Sequence, residues 1–252
     1  MNRPDPDEFY VGYLPKAPAG LARWLRPRVW LLVCLPLPLA LALALAQRPF
    51  GPSVFEFQQI RAFEGVVLET PYPMLRVTRP QGGSAVDHSL YYLVNFGKFG
   101  AQAAVAGLAG KRVRLEGELI YRDDQTMIQV KEGSIQVLGD GLEDAAGDLG
   151  RVTLVGEIVD SKCFLGVMNP GNLKPHKACA IACIRGGIPP VLLVRDGEGH
   201  AYYFLLTSTT GKSLGAAILS KVAEPVRVTG TLAALDNIYW IRTEPGAIER
   251  LP

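Results

Sequence analysis

Two kinds of apolar pattern divide this chain. Near the N-terminus the pattern is unbroken: residues 29–46 read VWLLVCLPLPLALALALA, 18 positions without a charge. As a helix rising 1.5 Å per residue, that stretch covers about 27 Å, close to the hydrocarbon thickness of a bilayer. Pro36 and Pro38 would kink it, which lipid tolerates where nearby groups satisfy the freed carbonyls. Beyond it, short runs rich in Val, Leu, Ile and Tyr alternate with Gly, Pro, Asp and Asn, which is the pattern of strands and turns. In the first half these runs are 63–70 (FEGVVLET), 73–79 (PMLRVTR), 89–96 (SLYYLVNF), 111–121 (KRVRLEGELIY) and 126–132 (TMIQVKE). The small-residue segment 101–110 (AQAAVAGLAG) predicts a short helix between the third and fourth strands.

The second half repeats this order. Strands are predicted over 151–159, 191–195, 201–207, 225–234 and 238–243, with a helix over 213–222 between the third and fourth. VRLEGEL at 113–119 aligns with VRVTGTL at 226–232, and Gly65 in FEGVV with Gly156 in LVGEI. Five strands with a helix between the third and fourth is the order of the OB-fold, a small Greek-key barrel. Glycine inside the first and fourth strands suits its coiling. The fold class read here is mainly β: one N-terminal transmembrane helix followed by two tandem OB-like five-stranded barrels. The domains are a tail over 1–28, the helix over 29–46, a first barrel over 55–140 and a second over 150–249, with 140–150 (DGLEDAAGDLG) as linker. A single β-sandwich is the alternative.

The alignment isolates one difference. From Gly65 to Gly117 is 52 positions, whereas from Gly156 to Gly230 is 74. The excess is an insertion at 160–188, after the first strand of the second barrel, a place where function tends to sit.

Composition and charge narrow the function classes. Hydrophobic residues make up 48% of the 252 and charged ones 20%, so packed cores are available and wholesale disorder is excluded. The net charge of +2, with basic residues spread out, argues against a nucleic-acid partner. Lys16, Arg23, Arg26 and Arg28 precede the apolar run and only Arg48 follows closely. The positive-inside rule then places residues 1–28 in the cytoplasm and the barrels outside it, with Trp24 and Trp30 at the interface. A cleaved signal peptide ending at Ala44-Leu45-Ala46 is the competing reading. The leader, with Phe9, Tyr10 and Tyr13, is long for a signal n-region, which favours a retained anchor.

The insertion carries the chemistry: DSKCFLGVMNPGNLKPHKACAIAC at 160–183 holds Cys163, His176, Cys179 and Cys183. Residues 175–185 predict a helix, with Gly186-Gly187 after its end, and place positions 176, 179 and 183 on one face. Three readings stand together. A disulfide from Cys163 to Cys179 or Cys183 would tie the insertion down but leave one thiol over. A Cys3His set, C-x12-H-x2-C-x3-C, suits one zinc ion or copper(I). A nucleophilic thiol with His176 as base lacks an evident orienting group or oxyanion site. Cys34 lies in the apolar run and joins none of these. His88, His200, Asp123-Asp124 and Asp236-Asn237 read as turn residues, and Tyr91-Tyr92 and Tyr202-Tyr203 as half-buried strand aromatics.

Gly156, Asp160, Cys163, His176, Cys179, Cys183, Gly187 and Pro189 form a pattern that resembles uncharacterised bacterial secreted and membrane-anchored OB-like periplasmic proteins, and DEFYVGYLPKAPAGLARWLR is similar to the cytoplasmic tail of anchored members. The resemblance implies a non-catalytic accessory subunit of a bacterial electron-transfer membrane complex, respiratory or photosynthetic, whose partners are integral membrane subunits and lipid. The rival expectation is a periplasmic metal- or thiol-handling protein that uses the insertion. Neither expectation includes an organic cofactor or a catalytic residue: no CxxCH, GxGxxG or Rieske spacing occurs.

Overall fold

Ten residues of positively charged sequence ahead of the apolar run join it in one helical stretch. In the computed structural model, which describes residues 16–46, 52–78, 88–141 and 146–252, α1 (Ala19–Cys34) begins after Pro18 and α2 (Pro36–Ala46) follows across Leu35. The junction is nearly seamless, because the Leu35 N–H bonds to the Leu31 carbonyl and the Leu39 N–H to that of Leu35. The helix therefore starts earlier than residue 29, and it carries Arg23, Arg26 and Arg28 on its first turns. The Arg28 guanidinium stacks 3.7 Å from the Trp24 ring centre and donates to the Trp24 carbonyl at 2.7 Å. Ala19–Ala46 is long and apolar enough to cross a membrane, and an N-terminal signal sequence would meet the same test. The tail residues 1–15 lie outside the described residues.

Residues 51–252 form a second compact unit. Its strands are β1 (Val54–Phe55), β2 (Arg61–Leu68), β3 (Met74–Thr78), β4 (His88–Val94), β5 (Lys111–Arg122), β6 (Gln125–Val130) and β7 (Gln136–Asp140) in the first half. β8 (Gly147–Asp160), β9 (Pro190–Arg195), β10 (Ala201–Ser208), β11 (Pro225–Leu235), β12 (Ile238–Thr243) and β13 (Ile248–Arg250) make up the second. In the first half β5, β2, β3, β4 and β6 pair in sequence, and β6 returns to β5, closing a five-stranded barrel in which β4 and β6 alone run parallel. The second half uses the same cyclic order: β11, β8, β9, β10 and β12, with β12 back on β11 and the parallel pair between β10 and β12. β1 and β7 flank β5, and β13 flanks β11.

The glycines show why the aligned segments fold alike. Gly65 faces Val113 and Gly156 faces Val226, and four residues earlier Arg61 faces Gly117 and Val152 faces Gly230. A side chain on Gly65 or Gly156 would meet the carbonyl oxygen of Arg76 or Leu193 at 2.4 Å. On Gly117 or Gly230 it would meet that of Gln129 or Arg242 at 2.5 Å. Each half thus brings a neighbouring strand over the same two positions, too close for any Cβ.

Elsewhere the boundaries shift for local reasons. α3 (Gln102–Val105) is four residues rather than the ten of 101–110, because Gly107 and Gly110 take φ of +78° and +70°. The helix expected over 213–222 is a 3-10 segment, Gly215–Lys221. The linker expected over 140–150 is partly strand, since β8 starts at Gly147; residues 142–145 fall outside the described set.

The strands enclose two interiors, and parts of their outer faces are buried as well. Val67, Leu75, Leu93, Val113, Leu115 and Ile128 fill the first barrel, and Ile158, Leu192, Leu206, Val226, Val228 and Ile241 fill the ring of the second half. A third cluster joins the halves: Leu68, Met74, Tyr92 and Met127 from the first pack with Cys163, Cys183, Leu205 and Trp240 from the second. The hairpin turns stitch the same seam. Arg76 makes a two-point ion pair with Asp236, at 2.8 and 3.2 Å, and Tyr203 donates to Asp123. The Leu90 N–H donates to Asn237 Oδ1 at 2.7 Å. Asp123-Asp124 and Asp236-Asn237 are turn residues as read from sequence, with φ near +50° at Asp123 and Asp236, and they also carry contacts between halves, whereas His88, expected in a turn, is the first residue of β4.

Candidate metal centre

The insertion leaves β8 at Asp160 and forms a single π-helical turn, Cys163–Val167, before α4 (Leu173–Arg185). Gly171 lets the intervening loop fold back, since a Cβ there would lie 2.7 Å from the Cys163 carbonyl oxygen. This return brings the sulfur of Cys163 against the face of α4 that carries Cys179 and Cys183. Cys163 Sγ stands 3.9 Å from Cys179 Sγ and 4.0 Å from Cys183 Sγ. All three are free thiols, about twice as far apart as sulfurs in a disulfide. Cys163 and Cys183 are buried and Cys179 is half-buried. Cys34 sits in α1, in the other compact unit.

Among the described residues, two groups of side chains are close enough to hold a metal ion: Cys163, Cys179 and Cys183, and Asp160, Cys163 and His176. The four ligands expected from sequence therefore divide, with Cys163 common to both groups. The helix explains the division. Seven residues separate His176 from Cys183, about 10 Å along the axis, and Cys163, close to each, links the two groups. Sharing a helix face is necessary for convergence but does not suffice.

His176 is instead held by Asp160, whose Oδ2 lies 2.9 Å from Nε2 while both side chains are almost wholly buried. The other carboxylate oxygen, Oδ1, accepts the Cys163 N–H at 2.9 Å. Asp160 thus fixes the histidine ring and the backbone of the first sulfur ligand together, as outer carboxylates do around metal sites.

Two lysines that sequence reading passed over complete the surroundings. Lys98, from the exposed loop between β4 and α3, places its ammonium 2.6 Å from Cys179 Sγ and 3.9 Å from Cys183 Sγ. Its loop is pressed against the end of α4: the Gly100 N–H donates to the Gly186 carbonyl at 2.9 Å, and a Cβ on Gly186 would sit 2.0 Å from the Lys98 oxygen. Lys162 is buried and donates to the carbonyls of Asn95 and Gly97, both at 2.8 Å, and to Gln129 Oε1 at 2.7 Å. Gln129 passes the link to Glu118 at 2.6 Å. Only the cross-half pairing of one loop with one insertion makes these lysines part of the site, and no short-range pattern signals that.

Charge is distributed accordingly. The hydrogen bond to Cys179 raises the Lys98 ammonium above its ordinary pKa, against the opposing effect of burial. Burial lowers the Lys162 ammonium to about 8, and the three acceptors around it match a protonated group at neutral pH. The Cys163 and Cys183 thiols shift in opposite directions. The hydrogen bond toward Cys183, and then burial, push Cys163 up; accepting that bond, helped by Lys98, brings Cys183 down. A lowered thiol pKa beside a second and third sulfur favours the thiolate form that a soft metal ion binds.

The remaining candidates stand apart. His200 lies in an exposed turn, its Nδ1 2.9 Å from Asp196 Oδ2. His88 starts β4 opposite Thr78. Tyr92 and Tyr203 are buried, Tyr91 is half-buried against Phe63, and Tyr202 is exposed. No known protein family and no curated protein matches the chain.

Proposed function

We propose that this is a membrane-anchored metal-binding protein whose extramembrane β unit holds one thiophilic ion, zinc or copper, on Cys163, Cys179 and Cys183. One observation carries the reading: three thiols from the two ends of the insertion converge, with Cys163 at sulfur separations of 3.9 and 4.0 Å from the other two, close to the spacing of sulfurs that share a metal at about 2.3 Å. The anchor is the helix Ala19–Ala46, retained, with the basic N-terminal side in the cytoplasm and the β unit in the periplasm. Both halves of that unit are OB-like barrels, the second supported by its identical cyclic pairing and glycine register. The site is read as a binding site, the ion held by thiolates next to the Asp160–His176 pair. Purification in mild detergent with a reductant, followed by metal analysis and thiol counting, tests the reading. One ion per chain is expected, lost in Cys163→Ser and Cys179→Ser. A chain with three reactive extramembrane thiols that retains no thiophilic metal when offered it would refute the proposal.

A second reading keeps the chain as a non-catalytic subunit docked on integral membrane partners of an electron-transfer complex. It draws on the helix, whose large apolar side chains from Trp24 to Leu45 are all exposed within the chain. Migration as a lone chain in several gentle detergents would count decisively against it.

A further inference from the structure

The separation of His176 from the sulfur group bears on which ion the site takes. We infer that the three sulfurs bind a single copper(I) ion in three-coordinate geometry, and that Lys98 is the residue that closes the site to a fourth ligand. The inference rests on the metal-binding reading above and narrows it.

Three observations carry it. First, a fourth protein ligand is missing from the sulfur group: His176 belongs with Asp160 instead, and moving its ring toward Cys179 and Cys183 would strand a fully buried carboxylate. Structural zinc sites ordinarily complete a tetrahedron with a fourth protein ligand, and catalytic ones keep a water there. Second, the spacing suits sulfurs that share one ion. With metal–sulfur bonds of about 2.3 Å, such ligands lie about 3.8–4.0 Å apart. Cys163 stands 3.9 and 4.0 Å from its partners. Third, a cation already stands against the sulfur group. The Lys98 ammonium sits against Cys179 and within 3.9 Å of Cys183, and a cation with three donors and no lone pair cannot itself ligate. Three thiolates without a nitrogen or oxygen donor select a soft ion. Lys98 acts through the sulfurs as a specificity-determining residue: it stabilises thiolate charge while it denies the place that a four-coordinate divalent ion needs.

The test uses the full chain in detergent, reduced and without oxygen. Copper(I) is titrated in competition with the chromophoric chelator bathocuproine disulfonate, and zinc(II) and cobalt(II) are titrated separately. The expected result is one copper(I) per chain, an absorption-edge spectrum fitted by sulfur alone in the first shell, and cobalt(II) without a tetrahedral visible spectrum. Lys98→Ala and Lys98→Leu, each checked for an unchanged circular-dichroism spectrum, are expected to raise zinc(II) affinity at least about tenfold and to give tetrahedral cobalt(II) bands. Zinc(II) bound through three sulfurs and a nitrogen that His176→Ala removes would overturn this inference and leave the metal-binding reading intact. Unchanged zinc(II) affinity in both Lys98 variants would overturn the role given to Lys98. Failure to bind any of the three ions would sink both readings.

Discussion

Lys162 shows how much of the site lies in single side chains that no motif announces. It is a charged residue next to a cysteine in DSKC, and its ammonium is buried against two carbonyls and an amide oxygen from the first half. Lys162→Met keeps the volume and removes the donor, leaving three acceptors unpaired. The expected cost is about 2–4 kcal/mol, measured as a lower urea midpoint with an unchanged slope. Glu157 is the opposite case. It is half-buried and caps α4 by accepting the Leu173 N–H at 2.5 Å, and burial holds its carboxyl above the usual carboxylate range. A raised native pKa means the folded state binds more protons than the unfolded one between the ordinary and raised values. Glu157 therefore costs stability at neutral pH, and the cost is relieved as pH falls through its native pKa. Glu157→Gln keeps an acceptor without the charge. It is expected to be more stable than wild type at pH 7, with the difference shrinking toward acid; thermal unfolding across pH 4–8 checks the sign. The cysteines were legible in the sequence as a cluster because their spacing is local to one insertion. The two lysines were not, because their partners lie on a distant loop and are largely backbone oxygens, which have no residue signature.

At the scale of elements, the glycines are the readable part. VRLEGEL and VRVTGTL were matched as letters, and the structure shows that the match is one of register, since Gly65 and Gly156 meet equivalent valines and equivalent carbonyls. Gly65→Ala and Gly156→Ala should then cost similar amounts, about 1–3 kcal/mol each by overpacking, as should Gly117→Ala and Gly230→Ala. Calorimetry on the four variants checks whether costs pair by equivalent position. A large cost in one half with none in the other would show that one strand crossing is looser than its counterpart. Strand existence was readable because period-2 runs and turn residues are local signals. The extent of α3 and the start of β8 were not, because positive-φ glycines and pairing with a strand some 80 residues away set them. For α4 the helix and its ligand-bearing face were legible in the local pattern, whereas the grouping of His176 with Asp160 depends on a strand end that the pattern does not place.

The whole β unit poses a question that neither residue nor element answers: whether two halves with the same strand order behave as two domains. The sequence reading separated them by a linker. In the structure, Met74 and Tyr92 of the first half pack in the same buried cluster as Cys183, Leu205 and Trp240 of the second. The Arg76–Asp236 pair and the Tyr203–Asp123 bond cross between them, and the thiol site takes Lys98 from one half and its sulfurs from the other. Each half alone would leave its share of that apolar cluster in water. The unit should therefore open as one cooperative body. Met74→Ala tests this, because Met74 is fully buried and touches the seam from the first half. Its truncation is expected to cost about 2–5 kcal/mol. In native-state hydrogen exchange, the slowest amides of β9–β12 should then lose protection by the same factor as those of β3–β6, although the substitution lies in neither β9 nor β12. Protection lost in β3–β6 and kept in β9–β12 would mean that the halves unfold separately. The thiol site would then sit on a hinge, and loading it with metal would lock the two together, which the same exchange measurement on the loaded protein would reveal as recovered protection in both halves.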